Sequence, residues 1–167
     1  MNRIAISLAL LLTLPLLTAA MTKQVKQVPG LIDGQPIEER KLQDQLPQSQ
    51  SSIWQEFAKC KVGYNNASGL YSIAVTPDVK ALSGQTISVS GFVMPLDGSD
   101  HTKHFLLTRR TPVCMFCPPG EPNEVVEVLS PHSIPWTDKM VSVTGPLSLI
   151  NNGEKGMFFK VSATMVK

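Results

Sequence analysis

From Gly69 onward the apolar residues recur with a period of two, and the runs that do so are joined by turns too short to hold a crossover helix. Tyr71, Ile73 and Val75 alternate with Ser72, Ala74 and Thr76 until Pro77-Asp78 ends the run. Between Thr86 and Met94, Ile87, Val89 and Val93 fall on one face and Ser88 and Ser90 on the other. Residues two apart share a face of a strand, so each run reads as a half-buried strand. His104 to Thr108, Glu124 to Leu129, Met140 to Leu149 and Met157 to Val166 supply four more, with an Asn151-Asn152-Gly153 turn suited to a hairpin. Parallel pairing of successive strands requires a connection of a dozen or more residues. The expected class is therefore all-β: a small antiparallel Greek-key barrel, OB-like, that turns its corner at Gly91. A small sandwich is the competing architecture. Ser130 to Asp138 stands where such a barrel often inserts a helix, but Pro131 and Pro135 leave room for only a turn or two.

Upstream of the strands the pattern changes twice. Residues 1–20 have the three parts of a secretion signal: Asn2-Arg3, an apolar run from Ile4 to Leu17, and small residues at Thr18-Ala19-Ala20. Cleavage after Ala20 places the mature protein in the periplasm with no stable membrane anchor, since Met21 stands where lipid attachment needs a cysteine. Residues 21–51 are polar and glutamine-rich and read as a flexible tether with a marginal helix from Pro36 to Leu46, because such a stretch buries too little apolar surface to order itself. A short helix follows from Ile53 to about Lys59, capped by Ser52 and Gln55, with Ile53 and Phe57 on one face against the domain. The remainder, residues 52–167, is one β-barrel domain.

Loss of residues 1–20 removes one arginine and no acid, which takes the formal net charge from +2 to +1. Without a basic stripe and interleaved aromatics there is no footprint for nucleic acid. Nor does the chain carry a Gly-x-Ser-x-Gly elbow, a His-Glu-x-x-His pair or a phosphate-cradling glycine loop. The expectation is a non-enzyme. Trp54 and Trp136 read as packing residues, and Glu121, Glu124 and Glu127 as solvated charges that guard a strand edge.

The chemistry concentrates in Cys114-Met-Phe-Cys117 and the prolines after it. Two thiolates three apart converge on one ion from a turn, and zinc takes four ligands from Cys and His, so His101, His104 and His132 are the candidate co-ligands. Copper is the other candidate cofactor, because soft donors select Cu(I) and Met115 and Met94 lie close in sequence or on a neighbouring strand. His101 and His104 would face opposite ways inside a strand, so they are expected in the turn before it. Alternatively Cys114 and Cys117 form a disulfide that clips the loop, or Cys60 pairs with one of them, as small exported domains commonly do. Thiol redox catalysis ranks third, since Pro118-Pro119 prevents the helix start that usually activates such a pair. Pro118, Pro119, Pro122 and Asn123 make a rigid loop that suits docking to an envelope protein.

Gly91-Phe-Val-Met-Pro-Leu96, His104-Phe-Leu-Leu107 and Cys114 through Glu124 together resemble a family of bacterial envelope proteins classed as a domain of unknown function. In that family a Trp-bearing segment precedes Leu-x-Gly-x-x-Val-x-(Ile/Val)-x-Gly-Phe-(Met/Val)-x-Pro-Leu, then a Phe-Leu-Leu strand and a Cys-Ile-His-x-Pro-Pro-Pro-Pro-x-Asn-Gln loop. The resemblance runs from about Trp54 to the C-terminus. Cys114 occupies the family cysteine, Phe116 the family histidine, and Cys117 is added. Family members are often encoded beside lipoprotein-release-type ABC transporters, some with zinc-responsive genes. The resemblance thus implies a metal-handling or transporter-accessory role, with zinc or copper as the metal and an ABC transporter component as the partner.

Overall fold

The computed structural model describes residues 31–32, 35–113 and 119–167. The residues read as a secretion signal, the first part of the expected tether, and Cys114, Met115, Phe116, Cys117 and Pro118 lie outside the described residues. In chain order the elements are β1 (Leu31–Ile32), β2 (Gln35–Pro36), α1 (Ile37–Asp44), α2 (Ser52–Phe57), β3 (Lys61–Asn65), β4 (Leu70–Ala74), α3 (Pro77–Ala81), β5 (Thr86–Pro95) and β6 (His101–Thr108). A 3-10 turn at Pro122–Glu124 leads into β7 (Val125–Pro135), β8 (Val141–Asn152), β9 (Met157–Ser162) and β10 (Met165–Val166).

Five strands close a barrel in the order β8-β5-β6-β7-β9 and back to β8, with β10 added to β8. Four of its ladders are antiparallel and β7 with β9 is parallel. This is the Greek-key connectivity of an OB-like barrel. The single parallel ladder fits the short turns, because β8 itself supplies the long connection between β7 and β9. No helix stands between β7 and β8: β7 runs on through Pro131 to Pro135, where a turn or two of helix was expected.

Closure depends on two strands changing partner midway. Thr86–Gly91 of β5 pair with β8, and Phe92–Pro95 with β6. A Cβ built on Gly91 would lie 2.5 Å from the Thr108 carbonyl oxygen, so the corner admits only glycine. In β8, Val141–Pro146 face β5 and Leu147–Asn152 face β9. Gly145 stands at that second corner, where a Cβ would lie 2.2 Å from the Ser162 carbonyl oxygen.

The inward residues Val89, Phe105, Leu107, Val126, Val128, Val143, Leu147, Phe159 and Val161 form one buried core with Ile53, Trp54 and Phe57 of α2. Phe57 stacks on Phe159 with ring centroids 4.1 Å apart, and Trp54 meets Phe57 edge to face at 5.9 Å. Aromatic pairs of this kind add about 0.5–1.5 kcal/mol each beyond their burial. The expected helix is thus present with the expected face inward. Its cap differs: the N-cap is Ser51, whose side chain makes no cap hydrogen bond.

Three further departures have physical causes. Pro77-Asp78 starts a helix instead of ending the strand in a simple turn, because Thr76 accepts the Val79 N–H and proline suits the first helical position. The first alternating run, β4, belongs to a separate hairpin with β3, joined to the barrel through Tyr71 N–H to the Gly153 carbonyl at 2.9 Å. Finally, residues 37–51 are not a solvated tether. Gln43 is fully buried and Ser49 nearly so, each with hydrogen bonds to the barrel or the loop beyond β6.

Candidate functional site

The loop after β6 is held at both stems by side chains from distant parts of the chain. Gln43 Nε2 donates to the Thr111 carbonyl at 3.0 Å and to the Pro119 carbonyl at 3.1 Å, so one amide ties together the two ends of the segment that carries Cys114 and Cys117. The Gln43 carbonyl oxygen accepts from Arg40 Nη1 at 2.9 Å. On the first stem, Thr111 Oγ1 donates to the Pro47 carbonyl and Ser49 N–H to the Arg109 carbonyl. The returning stem forms a capping box in which Glu121 and Glu124 satisfy each other's backbone N–H groups.

Glu124 is the electrostatic centre. Its side chain is 9% exposed and accepts from Arg110 Nε at 3.0 and 3.1 Å and from Arg109 Nη1 at 3.3 Å, with Arg40 Nη1 at 3.9 Å. Arg110 also pairs with Asp44 of α1. Burial pulls the Arg110 pKa down, but Glu124 and Asp44 outweigh it and the net shift is upward. Gly120 makes room for this carboxylate, since a Cβ there would lie 2.8 Å from Glu124 Oε2. Glu124 is therefore a buried partner of arginines, not the solvated edge charge its spacing suggested.

Beside the first stem lies a shallow, mostly apolar groove of about 210 Å³, lined by Phe92, Val93, Pro112, Val113, Trp136 and Asp138 among others. Trp136 is 50% exposed and Val113 37%, whereas Trp54 is buried, so only one of the two tryptophans is the packing residue expected.

The histidines lie elsewhere. The loop leaves β6 at Thr108 and rejoins β7 at Val125, whereas His101 and His104 sit toward the other end of that ladder. At roughly 3.3 Å per residue, His104 is about 13 Å from Thr108 along the strand and His101 about 23 Å. Both are inside β6 rather than in the turn before it, and both are exposed. A bulge between Thr102 and His104 restores the phase that simple alternation would break, with Thr102 Oγ1 bonded to the His104 N–H and carbonyl. His104 Nε2 lies 2.7 Å from Glu127 Oε1, and His132 is exposed on β7. Among the described residues no three His, Cys, Asp or Glu side chains gather into a group able to hold a metal. Met94 is buried in a small cluster with Leu106, Val125 and Met157, as a core methionine.

Of the residues expected on a docking loop, Pro119 and Pro122 are half-buried and Asn123 is buried, with its Nδ2 donating to the Cys60 carbonyl at 3.1 Å. Cys60 is a buried free thiol. Gln43 and Arg40 escaped the sequence reading because they lie in a stretch whose composition argues for disorder. The Glu121-x-x-Glu124 spacing was the one local signal, since it matches a reciprocal capping pair.

Comparison with known proteins gives one family. A model described as "Protein of unknown function (DUF3299)" matches residues 21–165. A crystal structure of a DUF3299 family protein from Pseudomonas aeruginosa PAO1 is similar at 20% identity and a TM-score of 0.48, over 72% of this chain and 82% of that one. No curated protein matches the chain.

Proposed function

The chain belongs to the DUF3299 family, and from that premise we propose that it is a non-catalytic binding component of the bacterial envelope, working through the loop between β6 and β7. The observation that carries this reading is the double hydrogen bond of Gln43 to Thr111 and Pro119. A fully buried amide spent on the two stems fixes where the chain leaves and rejoins the barrel, which lowers the ordering cost of binding at those stems. The adjoining groove supports a protein partner. It is smaller than the ~300–1,000 Å³ typical of small-molecule pockets, and its exposed Trp136 is the residue type most enriched among binding hot spots. The leader-like residues 1–20 support an exported location, and the resemblance of the middle third to transporter-linked proteins supports an ABC transporter component as the partner.

A second reading, metal handling, is favoured by the Cys-x-x-Cys spacing itself. For zinc the fit is poor, because four donors are wanted and the described histidines lie away from the loop stems. Copper(I) suits the pair better, since soft thiolates select it. In either case Cys114 and Cys117 would be the donors, and the chain's contribution is to hold the loop that bears them.

Native mass spectrometry of the mature protein, combined with photo-crosslinking residues at positions 113 and 136 in cells, tests the proposal. The expected result is a metal-free protein, two daltons light if the two cysteines are joined, that crosslinks to a transporter subunit through both positions and not through position 155. A stoichiometric zinc or copper ion with both thiols free overturns docking in favour of metal handling.

A further inference from the structure

The first two helices, α1 and α2, are attached by different physics. α2 inserts Ile53, Trp54 and Phe57 into the core. The side chains α1 buries most are Arg40 and Gln43, both polar, while of its two apolar residues Ile37 is only half-buried and Leu42 is 60% exposed. An eight-residue helix is not stable alone, and no apolar side chain of this one is fully buried in the way that fastens most helices to their domains. Its contacts are polar: hydrogen bonds, whose net worth is small because water replaces them on release, and the ion pairs of Arg40 with Glu124 at 3.9 Å and of the half-exposed Asp44 with Arg110. The docked state also encloses Glu39 Oε2 without a hydrogen-bond partner, which opposes docking.

We infer that α1 is a polar latch, which detaches from the loop stems and unwinds while the barrel and α2 remain folded. Gln43 grips both stems at once, so a single event unties Thr111 and Pro119 together. The Asp44–Arg110 and Arg40–Glu124 pairs part in the same event, whereas Glu124 keeps Arg109 and Arg110 from within the loop's own stems. The N-terminal chain thereby controls how firmly the loop is held. That consequence for docking rests on the function proposed above, but the latch itself stands on the contacts of α1 alone.

Hydrogen exchange of the full mature chain, read by mass spectrometry without any partner, tests it. Amides of residues 37–44 are expected to exchange at least about tenfold faster than those of residues 52–57 and of β6, the mark of sub-global opening. Gln43→Ala accelerates exchange in residues 37–44 and at both stems and leaves β5 to β9 unchanged. Asp44→Asn, at a half-exposed position outside the core, accelerates residues 37–44 as well. Exchange of residues 37–44 in step with the barrel strands overturns the latch, as does a Gln43→Ala effect spread evenly over the chain. Either outcome leaves the docking proposal standing, since no partner enters the measurement.

Discussion

The indole N–H of Trp54 donates to the Ser90 carbonyl at 2.7 Å, one residue before β5 exchanges β8 for β6. Ser49 Oγ donates to the same oxygen at 2.6 Å. Trp54 thus fills the core and completes the backbone at the corner. Trp54→Ala is expected to cost about 3–5 kcal/mol. Trp54→Phe, which keeps most of the burial and leaves Ser49 on the carbonyl, costs about 1 kcal/mol. Combined with Ser49→Ala it costs more than the sum, because the carbonyl is then orphaned. Urea midpoints read all three; additivity in the double variant would refute the shared role.

The corner glycines give a second expectation. Gly91→Ala and Gly145→Ala each drive a methyl group into a main-chain carbonyl, at 2.5 and 2.2 Å, that cannot move without parting a ladder. Both variants lose at least about 2 kcal/mol, in the upper range of single-site effects. Gly98 has open space around it and a φ of +65°, so Gly98→Asn is tolerated. Equal thermal midpoints for Gly91→Ala and Gly98→Asn would contradict the corner geometry.

Removing Glu124 leaves Arg109 and Arg110 facing each other without their shared partner. Glu124→Ala is expected to destabilise by about 3–5 kcal/mol, as when one member of a buried ion pair is deleted. Glu124→Gln retains part of the hydrogen bonding and loses less. Because the carboxylate is mostly enclosed, the loss persists in 1 M salt on the order of its low-salt value. A loss that vanishes in high salt would assign the cluster to the solvated surface.

Asp97 in the turn between β5 and β6 accepts from both the hydroxyl and the N–H of Ser99. These bonds favour the carboxylate and hold its pKa below the ordinary value. Because the folded pKa is the lower one, the turn's contribution is complete above the unfolded value and is lost as pH falls through the folded one. A carbon-detected NMR titration should show Asp97 titrating below the usual carboxylate range and moving up in Ser99→Ala. An unmoved midpoint in that variant would show that Ser99 is not the cause.

The barrel strands were legible because a period of two survives in β5 and β8 whatever surrounds them, and Gly91 announced its corner by interrupting an otherwise continuous strand. β3 was not legible: Lys61-Val-Gly-Tyr-Asn65 has little alternation of its own and is ordered by pairing with β4 across the turn at Gly69. The histidines were misjudged because a bulge changes the phase of β6, and a bulge leaves no mark in composition. Gln43 was out of reach for another reason. Its partners lie 68 and 76 residues away, and a buried amide is indistinguishable from a solvated one until they are in place.

The parallel ladder of β7 and β9 carries a consequence for the order of events during biosynthesis. Met157–Ser162 supplies an antiparallel neighbour of β8 and, among the described strands, the one that joins β7 back to it, and Ala163 N–H then bonds the Leu129 carbonyl. A chain emerging N-terminus first therefore holds an open, curled sheet with two unsatisfied margins until β9 is free. The cylinder cannot shut before that strand arrives, so the nascent polypeptide keeps β5 to β8 as an unclosed ribbon.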